Sequence, residues 1–221
     1  MDRFTGCLKD AKACMIDDII CVGGSGRVGR MVSSAWRQDP RTSDLIVLQS
    51  RGHGVGTGRK AFEWDPLVSS APLRTWTDRH GTPSAMIVLA GVTPGRERDL
   101  SLNSTIATSC VSAAAAVGIP RVLVASSSAV YGVGEGTAFS EASACLPANG
   151  YGEAKINMEC ACLALQASGV EVCCLRIGNV AGADALLLNV AKSPPDKDIE
   201  IDVFADGRGP LRSYIGPRTL A

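Results

Sequence analysis

The segment DIICVGGSGRVGR (18–30) joins a short β-branched run to Gly23, Gly26 and Gly29, spaced as GxxGxxG, and the apolar periodicity of VGRMVSSAWRQ (28–38) follows. A strand that meets a helix through three such glycines predicts a turn built for close backbone approach. Glycine lets a pyrophosphate lie against the main chain, and the helix N-terminus offers unpaired N–H groups and a partial positive charge. The turn therefore points to a dinucleotide, held by Gly23, Ser25, Gly26, Arg27 and Gly29.

The rest of the chain repeats this alternation. LIVLQS (45–50), AFEW (61–64), AMIVLAG (85–91), RVLVASS (121–127) and VEVCCLRI (170–177) read as strands. Residues 97–118 and 151–169 read as helices, stopped by Gly118 and Gly169. Strands alternating with helices predict an α/β fold: a Rossmann-type, doubly wound parallel sheet. After Gly182 the pattern weakens, and RGHGVGTG (51–58) and KSPPDKD (192–198) read as loops. The expected division is a dinucleotide-binding domain over 15–182 and a small, incomplete substrate-binding part over 183–221.

Composition narrows the partners. A formal net charge of +0 gives no global field to recruit nucleic acid or an anionic membrane. No stretch approaches the 18 or so apolar residues of a spanning helix, and the N-terminal residues lack a signal-peptide core. The nine cysteines lack zinc-ligand spacing and read as reduced thiols in a cytoplasmic protein, with no metal site.

Two further patterns bear on chemistry. The end of the second strand reads Gln49, Ser50, Arg51. An NAD site usually has a carboxylate there for the ribose diol, whereas a guanidinium suits a 2′-phosphate. NADP(H) is the expected cofactor, with Arg51 its selector and NAD(H) the alternative. In GYGEAK (150–155), Tyr151 and Lys155 stand four apart and share one helix face. A nearby ammonium lowers a phenol's pKa, so the pair is suited to exchanging a proton with an alcohol.

Together these motifs resemble the extended short-chain dehydrogenases/reductases, the NAD(P)-dependent epimerase/dehydratase group, from about Asp18 onward. The resemblance implies roles for individual residues. Asp65, in EWDPL, would hold the adenine amino group, and Ala90 and Gly91, in LAGV, would pass the adenine ribose. Asn103 sits where members often carry asparagine. VASSSAVYG (124–132) implies Ser127 as the catalytic hydroxyl beside Tyr151 and Lys155, with Lys155 also holding the nicotinamide ribose. LRIGNVAG (175–182) and the segment 206–221 imply Asn179 and Arg212 as contacts for a nucleotide-sugar diphosphate. The implied activity is that of an NAD(P)-dependent reductase or epimerase acting on a (nucleotide-)sugar or similar small molecule. Ser128 and Ala129 after Ser127 disfavour dehydration, since dehydratases of the group place acidic residues there. Pairing through the tyrosine-bearing helix implies a homodimer. The alternative is a dinucleotide-binding sensor or scaffold with little turnover.

Overall fold

The computed structural model describes residues 15–52, 60–95, 97–134, 138–184, 190, 193–194, 203, 205, 207, 209 and 211–221. Most of the two expected loops at 51–58 and 192–198 lies outside the described residues. Six parallel strands form one sheet in the order β3-β2-β1-β4-β5-β6. They are β1 (Met15–Val22), β2 (Ile46–Ser50), β3 (Ala61–Glu63), β4 (Thr82–Val88), β5 (Arg121–Ser127) and β6 (Glu171–Ile177). The helices between them are α1 (Arg27–Gln38), α2 (Ala71–His80), α3 (Leu102–Ala116) and α4 (Gly150–Ala164).

The strand interiors are apolar on both faces because helices cover both. On one side Ile20, Val22, Met86, Val88, Val122 and Val124 meet Leu73 and Trp76 of α2, Ala107, Cys110 and Val111 of α3, and Met158 and Cys162 of α4. Each of the buried aliphatic side chains contributes about 1.5–3 kcal/mol of transfer free energy. On the other side Cys21 meets Val32 and Trp36 of α1, with Val28, Ile46 and Leu48 packed around them.

Two short strands, β7 (Asn179–Val180) and β8 (Tyr214–Ile215), pair parallel to each other. The final helix, α5 (Pro217–Leu220), then returns to α1. There Leu220 joins the Trp36 cluster, and the Trp36 indole donates to the Ala221 carbonyl at 2.9 Å.

The sheet decides where a site can form. β1 has β2 on one side and β4 on the other, so the strand order reverses there. Ligands of such sheets bind in the crevice beyond the carboxyl ends at this switch point. Here those ends carry Gly23, the pair Ala90 and Gly91, and Ser127.

Candidate active site

The glycine turn is packed against the end of β4. Gly23 has φ +85°, and a Cβ there would lie 2.5 Å from the Ala90 nitrogen. A Cβ on Gly29 would overlap the Gly23 carbonyl oxygen and approach Gly24 Cα to 2.7 Å. That clearance lets α1 start directly on the turn. Its N-cap is Gly26, which brings no side-chain hydrogen bond to the first N–H groups. The two arginines flanking the turn reach across it: Arg30 donates to the Ser25 carbonyl at 2.6 Å and Arg27 to the Ala183 carbonyl at 3.5 Å.

Gln49 occupies the position of the missing carboxylate. It is buried, accepts from the Gly23 N–H at 3.1 Å, and donates to the Trp64 carbonyl. A neutral amide thus ties β1, β2 and the end of β3 at the crevice. Arg51 is exposed just beyond it. Asp65, after β3, accepts from the Leu67 N–H at 2.9 Å and so shapes its own turn.

Gly91 stands between two polar side chains. A Cβ there would lie 2.7 Å from Asn103 Oδ1 and 3.5 Å from Lys155 Nζ. Asn103 is 1% exposed, accepts from the Val92 N–H at 3.1 Å, and donates to the Val92 and Leu100 carbonyls at 3.0 Å each. Its role is to pin the loop after β4 to α3.

α4 begins on an N-cap in which Asn149 Oδ1 accepts from the Gly152 N–H at 3.0 Å. Tyr151, Lys155 and Glu159 follow at intervals of four on one face. Lys155 is buried, and its Nζ donates to the Ala125 carbonyl at 2.9 Å. Burial lowers its pKa to about 8, against upward pulls from Cys162, Cys174 and Glu159. Nζ stands 5.9 Å from the centre of the Tyr151 ring.

The phenol behaves differently from the sequence-based expectation. Burial raises the Tyr151 pKa above its ordinary value, and a hydrogen bond with Ser127 pulls weakly the other way. The ammonium is bonded to the Ala125 carbonyl, and burial has the larger effect on the phenol. Ser127 Oγ accepts from the Ala129 N–H at 3.2 Å, which leaves its own O–H free to donate.

Below this set lies a polar cluster that sequence reasoning missed. Glu159, 5% exposed, receives a bidentate pair from Arg176 of β6, with Nη2 at 2.7 Å from Oε2 and Nε at 3.1 Å from both oxygens. Ser126 Oγ also donates to Glu159, and Arg176 Nη1 donates to the Tyr131 hydroxyl at 3.0 Å. The Arg176 pKa is pushed well above its ordinary value, chiefly by the hydrogen bond to Glu159. The interval of eight from Tyr151 to Glu159 was the available signal.

The pairing of β7 with β8 puts Asn179 opposite Tyr214, two residues from Arg212. The Asn179 side chain donates to the Ser213 carbonyl at 3.1 Å, and Arg212 is exposed. Among the described residues no group of His, Cys, Asp or Glu could hold a metal ion, and no helix is long and apolar enough to cross a membrane.

A parallel sheet with a glycine turn at its switch point and a Tyr–Lys pair on the helix before β6 defines a Rossmann-type, dinucleotide-dependent class. Comparison with known proteins is specific. The chain belongs to the NAD dependent epimerase/dehydratase family, which matches residues 19–203. No match was found among curated protein sequences. Among solved structures it resembles MoeE5 bound to UDP-glucuronic acid and NAD, with 23% identity and a TM-score of 0.70 over 90% of this chain and 68% of that one. It resembles the UDP-N-acetylglucosamine 4-epimerase from Bacillus cereus at 17% identity and TM-score 0.66, over 91% and 69% of the two chains. The UDP-glucose 4-epimerase from Brucella ovis in complex with NAD is 25% identical, with TM-score 0.63 over 76% and 54%. The chain thus spans from about half to about two thirds of these relatives' lengths.

Proposed function

We propose that this protein interconverts a hydroxyl and a carbonyl on a nucleotide sugar or similar small molecule, using a nicotinamide dinucleotide. The observation that supports the proposal is that Lys155, with Tyr151 one turn before it on α4, reaches the Gly91 backbone at the crevice, where Ser127 ends β5.

The residues present fit the cofactor. The turn has space where a Cβ would collide with backbone, and the first N–H groups of α1 receive no side-chain cap. Gly23, Ser25, Gly26, Arg27 and Gly29 would hold the pyrophosphate. Ala90 and Gly91 would flank the adenine ribose, with Asp65 near the adenine and Lys155 at the nicotinamide ribose. When bound, the nicotinamide supplies hydride acceptance and donation.

The protein supplies the proton. Tyr151 in its burial-raised state retains its hydrogen and is suited to donate it to a carbonyl oxygen, becoming phenolate; in the reverse direction that phenolate takes the alcohol proton. Ser127 has a single hydroxyl hydrogen to give; turned from the phenol to the substrate oxygen, it would stabilise charge there. Lys155, as an ammonium, favours the phenolate when the proton has left.

NADP(H) is the finer reading of the cofactor. The neutral Gln49 puts no carboxylate against a 2′-phosphate, and Arg51 is exposed beside it. The relatives' structures contain NAD, so NAD(H) is the competing outcome. Asn179 and Arg212 are proposed diphosphate contacts, 15–182 and 183–221 the two functional parts, and the α4 face a homodimer contact. The seven described cysteines are free thiols, which suits a cytoplasmic protein.

The test is titration with NADPH and NADH, followed by turnover assays on UDP- and dTDP-sugars. Tyr151→Phe should abolish turnover and leave cofactor affinity unchanged. Tight cofactor binding by the unaltered protein, with no turnover of any sugar or small carbonyl, would support a sensor or scaffold instead.

A further inference from the structure

The Glu159–Arg176 cluster joins the elements that carry the proposed proton-transfer residues. Glu159 lies one turn beyond Lys155 and two beyond Tyr151 on α4. Its carboxylate is reached by Ser126, the residue before Ser127 at the end of β5. Arg176, on β6, completes the pair and continues to Tyr131, whose ring it also overlies at 5.0 Å. Tyr131 closes the 3-10 turn Ser128–Tyr131 that leads away from Ser127. One ion pair therefore ties α4, β5, β6 and this turn together.

Stability alone explains such a cluster poorly. Glu159 is buried and Arg176 partly so, and a charge taken out of water loses in desolvation much of what it gains in attraction, so that an apolar replacement of the same volume is often neutral or better. What a bidentate pair adds is geometry, because two parallel bonds fix orientation as well as distance. We propose that Glu159 and Arg176 form a positioning clamp that holds α4 in register with the end of β5, so that the Ser127 hydroxyl meets the Tyr151 phenol. Neither residue touches the reacting atoms; both act through Ser126 and Tyr131. The proposal rests on the reading of Tyr151 as the proton donor, and misplacement by about 1 Å at such a site can reduce turnover about 100-fold.

The test uses Ser126→Ala, which removes one hydroxyl and no charge, and Glu159→Gln, which keeps the shape of the carboxylate. Two properties are read: the split between kcat and KM, and the titration of Tyr151. The titration is followed by NMR of carbon-labelled tyrosine and isolated by subtracting matched Tyr151→Phe variants. Tyr151 is faced by Ser127 from β5 and by Lys155 from its own helix, and the Ser127 hydrogen bond lowers its pKa. Loosening the clamp should therefore move the phenol to higher pH and lower kcat about 10-fold or more, with KM and cofactor affinity unchanged. A purely structural role would lower the melting temperature and leave the phenol where it was. That result in folded Ser126→Ala overturns the proposal, whether or not Glu159→Gln folds. If the unaltered protein turns over no substrate, the proposed activity fails, and the clamp is judged on the phenol titration alone.

Discussion

Lys155 carries the most information of any single residue. Nearly all of its side chain is buried, its head group is bonded to Ala125, and its pKa is lowered to about 8. In the proposed reaction an ammonium favours the Tyr151 phenolate, so the fraction of competent free enzyme would fall as pH rises through that value. The pH profile of kcat/KM, which reports the free enzyme, should show an alkaline limb near pH 8 rather than near the ordinary lysine value. Lys155→Arg keeps its charge at all accessible pH, and in that variant the limb should move upward. A limb that stays in place would assign it to another group. The spacing of Tyr151 and Lys155 was legible in the sequence because a helix has one period. The acidity of Lys155 was not, because it depends on burial against β5 and β6, and no local pattern encodes that.

At the scale of elements, the glycine turn and the strands were legible because each has a local signature. The β5 expectation, 121–127, coincides with the strand itself. The helix expected over 97–118 begins only at Leu102, since Asp99 accepts from the Ser101 N–H and hydroxyl in the turn that precedes it. The expected helix over 151–169 gives way to a 3-10 turn at Leu165 before Gly169 adopts φ +87°. α2 went unread. Its buried face is only Leu73, Trp76 and the polar Thr77, spread among charges, although Pro72 in its first turn was a usable start signal. The turn itself yields a sharp prediction. In Gly29→Ala the new methyl meets the Gly23 carbonyl and Gly24 backbone, which cannot swing aside as a side chain could. The expected cost is about 1–3 kcal/mol of stability, with at least a tenfold or so loss of dinucleotide affinity as α1 is pushed off the turn. Gly52→Ala is the control, since no atom of the described residues lies within 4 Å of its Cβ position. Equal effects in the two variants, measured by denaturation and cofactor titration, would show that helix-to-turn clearance is not what matters.

For the whole molecule, the site imposes a cost on the fold that ligand binding can offset. Tertiary ties such as Gln49 to Gly23 and Glu159 to Arg176 link residues far apart in sequence, so single motifs could not announce them. The buried ammonium of Lys155 opposes folding at neutral pH. Its native pKa is below the unfolded value, so the unfolded chain binds more protons between about pH 8 and pH 10. Stability should therefore rise with pH as Lys155 sheds its proton. The buried thiols oppose this at higher pH: burial raises Cys162 to about 11 and Cys174 to about 12. Unfolded thiols ionise first, so their contribution is lost as pH rises past about 9. Lys155→Met should accordingly make the cofactor-free protein more stable at pH 7, by about 1–3 kcal/mol after allowing for the bond lost at Ala125. It should also flatten the rise in stability that begins near pH 8. At a cofactor concentration of about 100 Kd the unaltered protein gains about 2.7 kcal/mol by mass action, and the variant gains less if Lys155 holds the nicotinamide ribose. Denaturation curves with and without cofactor decide the matter. A variant less stable than its parent when free, and equally stabilised when loaded, would make Lys155 a structural cation rather than one kept at a thermodynamic cost for its role in the crevice.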